Sequence, residues 1–271
     1  MKNISASFFF IACILLMNGC IEEETSEFTD WAIIESYISP GDYVNAKVSR
    51  QLPFSSDVEY SADDINNLTI SVTCNDTVYN LTPLGDGKYI DSSLTVTENT
   101  EYTLSFHFNS QTVSAYTYIP SKPENFSQSV TSISVTRIDS TSGFPSGGFS
   151  MPDPIELTWD NPDNDYYIAI VENIESTLDP IRDFGDNDPP SNIFRKSPTT
   201  LAASEIRSQE FQYFGTHRII LYHVLPDYAA LYNENTTSSQ NLTNPSTSIT
   251  NGYGIFTGLN ADTLYIEVKE D

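Results

Sequence analysis

The chain has 271 residues, of which 39% are hydrophobic, and carries a formal net charge of −25 from 37 acidic and 12 basic residues. With 15 Phe and 16 Tyr there is enough apolar surface for packed cores, which argues against wholesale disorder. So negative a chain is repelled by phosphate backbones, which argues against a nucleic-acid partner.

In chain order, Lys2 precedes an apolar run from Phe8 to Met17 that leads into Asn18-Gly19-Cys20. Ten apolar residues are too few to cross a bilayer, which takes about 20 as a helix. A charged start, a short apolar core and a small residue before a cut predict a secretory signal peptide over residues 1–19. The cysteine after that cut resembles a lipobox, so Cys20 is expected to become an acylated N-terminus anchored in a membrane, because each buried methylene contributes about 0.8 kcal/mol. Cleavage would remove Lys2 alone among the charges. Residues 20–29 are expected to form an acidic tether, and Glu22-Glu23-Glu24 behind the cysteine resemble the signal that exports Bacteroidota lipoproteins to the outer face of the outer membrane. Loss of Cys13 with the signal and acylation of Cys20 leave only Cys74, so no internal disulfide is expected; its parity with Ile70 and Val72 predicts a buried thiol.

Alternation of apolar and polar residues dominates the rest, with no sustained helical period. Strands are predicted at Trp31–Ser39, Tyr43–Leu52, Leu68–Asn75 and Val78–Leu81, and Asp86-Gly87 predicts a tight turn into Lys88–Leu94. Tyr102, Leu104, Phe106 and Phe108 alternate up to Asn109-Ser110, and Val113 to Ile119 return, which predicts a hairpin. These strands imply an N-terminal β-sandwich over residues 30–120, of immunoglobulin-like or transthyretin-like kind. Pro120 and Pro123 cannot sit in a central strand, so 121–130 is read as a linker.

Beyond it, strands are expected at Ile133–Ile138, Ile155–Trp159, Tyr166–Val171, Arg218–Leu225, Tyr253–Thr257 and Thr263–Val268. The stretch from Pro154 to Glu172 resembles the B and C strands of a fibronectin type III domain, with Trp159 as its core tryptophan. Residues 131–271 are therefore read as a second β-sandwich, making the fold all-β with two sandwich domains. Between residues 176 and 215 the alternation dissolves into a long insertion, with a short helix expected at Leu201–Arg207. Long loops are often functional, and Phe211, Tyr213 and Phe214 within it are candidate contact residues for a protein or a sugar.

No catalytic constellation is visible. Metalloprotease, P-loop and nucleophile-elbow motifs are absent, and His217 and His223 lie six strand residues apart, roughly 20 Å, too far to share an ion. The chain is read as a non-enzyme with no cofactor. Asp160, Asp163 and Asp165 are candidate calcium ligands, because calcium favours clustered oxygens, although Asp, Asn and Pro are equally turn formers.

Taken together, the lipobox, Ile33–Ile38, Asp86-Gly87-Lys88-Tyr89, the hairpin ending Ala115–Pro120 and the closing Asn251–Gly258 resemble a family of Bacteroidota outer-surface lipoproteins of unknown function. The resemblance implies a surface-anchored accessory or binding role beside a TonB-dependent transporter of the outer membrane, with a glycan-binding or adhesion module as the alternative. It also implies O-glycosylation at Asp76-Thr77-Val78, Asp139-Ser140-Thr141 and Asp262-Thr263-Leu264, which fit the Asp-(Ser/Thr)-apolar-or-small pattern of that phylum.

Overall fold

A computed structural model describes residues 30–52, 61–138, 152–182, 188–233 and 247–271. The first half runs β1 (Ala32–Ile38), β2 (Tyr43–Arg50), α1 (Asp63–Asn66), β3 (Ser71–Cys74), β4 (Thr77–Asn80), β5 (Thr82–Gly85), β6 (Lys88–Thr95), β7 (Glu101–Phe108) and β8 (Gln111–Tyr118). Its turns form where small polar residues tolerate left-handed backbone: Asn75 and Asp76 both have positive φ, as do Asp86 and Gly87, the signature of two-residue hairpin turns. At Gly87 a Cβ would lie 2.0 Å from the Val48 carbonyl oxygen, so only glycine fits.

The second half runs β9 (Ser127–Gln128), β10 (Ser132–Val135), β11 (Ile155–Thr158), β12 (Tyr166–Asn173), β13 (Asp179–Pro180), β14 (Ile193–Arg195), β15 (Ala203–Ile206), β16 (Tyr213–Val224), α2 (Pro226–Asn233), β17 (Ile249–Thr250) and β18 (Tyr253–Glu270). The fold is all-β. One ten-stranded sheet, ordered β14-β12-β16-β18-β1-β2-β6-β5 with β10 on β18 and β13 on β16, runs through both halves. A five-stranded sheet, β17-β8-β7-β3-β4, closes the first sandwich, and a three-stranded one, β15-β11-β9, closes the second.

Two separate cores lie between these layers. Ile34, Val72, Tyr102, Leu104 and Phe256 belong to the first, and Leu157, Val171, Ile206, Phe211 and Ile219 to the second. Cys74 is buried in the first core and Trp159 in the second, as their positions in the alternation predict.

Two expected strands, at Tyr253–Thr257 and Thr263–Val268, are one continuous 18-residue strand. Its first part pairs parallel with β1, Ile34 opposite Gly254 and Ile38 opposite Gly258. Its later part pairs antiparallel with β16, from Leu259 opposite Val224 to Val268 opposite Gly215. A strand placed in the C-terminal sandwich by chain order thus carries Phe256 into the first core and Ile266 and Val268 into the second. Gly254, at φ +99, is needed at the β1 seam, because a Cβ there would stand 1.9 Å from the Ile34 oxygen.

The segment 121–130 packs as it crosses between the halves. Pro123 and Phe126 are buried and Ser127–Gln128 form β9. Polar bonds fix the crossing to β18: Asn260 Nδ2 donates to the Pro120 carbonyl at 3.0 Å, and Gln128 Nε2 to the Tyr265 carbonyl at 2.7 Å. The helix expected at Leu201–Arg207 is instead strand β15, antiparallel to β11 with Ile206 opposite Ile155. Pairing with an existing edge satisfies its backbone groups and buries Ile206, which a single short helical turn would not achieve.

Candidate functional site

The outward face of the long sheet carries an open groove at the meeting of the two halves. Alternation puts it there: Ile34, Ser36 and Ile38 of β1 are buried inward, leaving Glu35 and Tyr37 turned out. On β12 and β16 the same logic buries Ala169, Val171, Ile219 and Leu221 in the second core and sends Ile168, Ile170, Tyr222 and Val224 to the opposite face. Helix α2, opened by Pro226, forms the wall beside β18. It is fastened by Thr257 Oγ1, which donates to Asp227 Oδ1 at 3.0 Å.

The groove has a volume of about 460 Å³ and is lined by Glu35, Tyr37, Ile168, Ile170, Arg195, Tyr222, Val224, Tyr228 and Leu259. The volume lies within the range of small-ligand sites, roughly 300–1,000 Å³. The Tyr37 and Tyr228 rings meet edge to face at 5.7 Å, and Tyr228 meets Tyr232 at 6.1 Å. Burial, reinforced by Tyr232, pushes the Tyr228 phenol up to about 12; burial and the Glu35 carboxylate raise Tyr37. The Tyr37 and Tyr228 hydroxyls therefore stay protonated at neutral pH, as neutral donors and acceptors. Among the described residues Arg195 is exposed and forms no ion pair, unlike Arg50, Lys122, Arg137, Lys196 and Arg218.

A second cleft, of about 510 Å³, lies over the 121–124 crossing and includes Glu124, Trp159, Asp160, Asp163, Asp165 and His223. It holds the three candidate calcium ligands, and each carboxylate with a partner is engaged separately. Asp160 accepts from Asn125 Nδ2 at 2.6 Å, and Asp165 faces His223 Nε2 at 3.3 Å. Asn161 ties the loop as a turn, its Oδ1 accepting from the Asp165 N–H and its Nδ2 donating to the Thr200 carbonyl. Among the described residues no three His, Cys, Asp or Glu side chains come together as a metal site. The acids still set the local field: burial, then Asp165, Glu124, Asp163 and Asp160, push the Tyr167 phenol up to about 12.

The histidines of β16 both point inward. His217 Nδ1–H donates to the Gly215 carbonyl at 3.0 Å and its Nε2 accepts from Asn173, while burial lowers its pKa and keeps it neutral. His223 Nδ1–H donates to the Ser121 carbonyl at 3.0 Å, and its ring stacks on Tyr167. Both rings have partners on both nitrogens and brace the fold.

The candidate contact residues of the insertion require correction. Phe211, Tyr213 and Phe214 are 3%, 2% and 6% exposed, so no ring face is open for stacking on a sugar or a partner. Phe211 packs edge to face on Phe194 and His217, Phe214 lies under the Arg137 guanidinium, and the Tyr213 hydroxyl donates to the Pro190 carbonyl. The second sandwich needs them because its small sheet has only three short strands, and the insertion supplies the missing apolar volume.

Of the sites implied by resemblance, Thr77 is exposed at the β3–β4 turn and Thr263 is half-buried in β18. Cys20, Glu22, Glu23, Glu24 and Asp139-Ser140-Thr141 lie outside the described residues. Sequence reading missed the groove altogether. The available signal was Tyr37, Tyr222 and Tyr228 on polar-side or helical positions, three separated segments with nothing local to unite them.

The family model described as "Domain of unknown function (DUF4249)" matches residues 21–264, and the chain belongs to that family. No curated protein matches it. Among solved structures it is similar to domains A168–A170 of titin, at 8% identity and a TM-score of 0.20, covering 71% of this chain and 60% of the titin chain.

Proposed function

We propose that this DUF4249 member is a lipid-anchored, non-enzymatic binding protein of the outer membrane. In this reading residues 1–19 are removed, Cys20 is acylated, and Glu22-Glu23-Glu24 direct the protein to the outer face of a Bacteroidota cell. There it serves as an accessory to a TonB-dependent transporter. The mechanism is tethering, in which lipid attachment confines the body to a surface and raises its effective concentration beside a membrane partner.

The observation that carries the binding role is the open tyrosine-lined groove with Arg195, which has no ion-pair partner among the described residues. Tyr and Arg are enriched in binding hot spots: tyrosine brings large contact area and a polar handle at little conformational cost, and arginine a planar fork of hydrogen-bond donors. The acidic remainder of the chain supports the surface role, since net charge keeps exposed proteins soluble.

The test is purification of the native protein from detergent-solubilised outer membranes. A transporter should co-purify, and Cys20→Ser should release the protein to the soluble fraction and lose the transporter. Recovery of free protein alone, or a serine variant still in the membrane, would refute the reading. Deleting residues 176–215 is not a usable control, because Ile181, Ile206, Phe211 and Phe214 belong to the second core.

A further inference from the structure

We infer that the groove binds an amphipathic organic anion, with an apolar or aromatic body lying on the sheet and a carboxylate, sulfonate or phosphate head paired with Arg195. This deepens the binding role proposed above and rests on it. Three features of the groove select this class of ligand.

The base of the groove includes aliphatic side chains. Ile168 is 1% and Val224 2% exposed, and Ile170 and Leu259 are half-buried beside them. An apolar body resting on the accessible part of this floor gains about 25 cal/mol for each Å² it removes from water.

The walls are tyrosine rings. Tyr37, 40% exposed, and Tyr228 offer ring edges to a flat or aliphatic body. Their phenols are neutral at neutral pH and add no negative charge.

The rim carries one cation, Arg195, as well as the Glu35 carboxylate. In a chain of net charge −25, Arg195 stands on edge strand β14 opposite Ile170 of the floor, with no carboxylate paired to it among the described residues. Across the groove, Glu35 pairs in register with Lys47, which is itself opposite Lys88. Lys47 shares the outward face with Glu35, and Arg195 is the lining group that can receive an anion. A guanidinium suits this task because its planar fork matches carboxylates, sulfonates and phosphates.

The experiment uses the full chain in detergent and two fluorescent probes that share a ring system. Anilinonaphthalene sulfonate carries an anion, and N-phenylnaphthylamine does not. The wild type should bind the sulfonate saturably with one site and should bind it more tightly than the neutral probe. Arg195→Gln, a change at an exposed position, should weaken the sulfonate about ten-fold or more, the scale of one charge-assisted hydrogen bond, and leave the neutral probe unchanged. Tyr37→Ala should weaken both probes, and far-ultraviolet circular dichroism should show both variants folded. Equal loss of both probes in Arg195→Gln, or unaltered binding of the sulfonate in both folded variants, would overturn the inference. Because no membrane partner is present, this outcome is independent of whether a transporter co-purifies.

Discussion

The two sandwiches of this molecule bury comparable cores by different means. The first is assembled from neighbouring strands joined by tight turns. In β7 and β8, Tyr102, Leu104 and Phe106 lie across from Thr117, Ala115 and Val113 in unbroken register. The second is assembled from distant pieces: Leu157 from β11, Ile181 beside β13, Ile206 from β15 and Val268 from β18 share one core. Other strands, β12, β14 and β16, intervene between these pieces in the chain, and specific polar contacts help hold them in place. Arg137 shows the method, its guanidinium donating to both Asp179 and Glu270 at 2.8 Å while lying 4.6 Å over the Phe214 ring. The first half has a contact of the same kind, Arg50 paired with Asp64 and lying 5.7 Å over the Phe108 ring, but its strands are joined mainly by regular pairing. In the second half the clamp ties the two-residue β13 to the end of the long β18.

The strand common to both cores offers the strongest way to break this comparison. Phe256 is fully buried in the first core, and truncating a buried phenylalanine to alanine costs about 3–5 kcal/mol. Since β18 continues into the second core, Phe256→Ala should lower the stability of both halves together. In a Trp31→Phe background Trp159 alone reports on the second half, so urea unfolding followed by its fluorescence should shift along with the circular dichroism. A Trp159 transition that stays in place would show that the halves unfold independently.

A smaller effect separates core from loop within the insertion. Ile206 and Leu104 are both fully buried, one in a segment without readable pattern and the other in a regular hairpin. Each truncation to alanine should cost about 2–5 kcal/mol by chemical denaturation. If Ile206→Ala is neutral while Leu104→Ala is not, the insertion does not contribute to the core.

The smallest effect concerns the clamp. Hydrogen bonds from Arg137 hold the Asp179 and Glu270 carboxyls below their ordinary values. Groups more acidic in the folded than in the unfolded state contribute stability above the unfolded pKa, about 4, and lose it as pH falls through the folded value. Arg137→Ala should therefore lower the melting temperature by about 2–4 °C at neutral pH, with the difference from wild type shrinking towards pH 3. A difference that persists in acid would assign the loss to the Phe214 contact.

Local alternation sufficed to place β1, β2, β7, β8, β11, β12 and β16, the Asp86-Gly87 turn, the buried Cys74 and the core Trp159. In each of these the side-chain period of two and the backbone needs of the turn are properties of adjacent residues. It failed at Leu201–Arg207, where pairing with β11 overrode a short helical pattern, and at Phe211, Tyr213 and Phe214, whose aromatic character reads alike for a core and for a contact surface. Burial depends on what packs against a ring: Phe194 and His217 cover Phe211, Arg137 covers Phe214, and the Pro190 carbonyl takes the Tyr213 hydroxyl, residues near and far in the chain.

The sequence by itself determined the all-β class and the two-core division, because strand periodicity and turn chemistry are written in runs of a few residues. Only the tertiary structure decided that β18 joins the cores, and that Tyr37, Arg195, Tyr222 and Tyr228 come together around one groove. Those residues lie on four elements spread over nearly two hundred positions, and their proximity follows from the order of strands in a sheet, which no local pattern encodes.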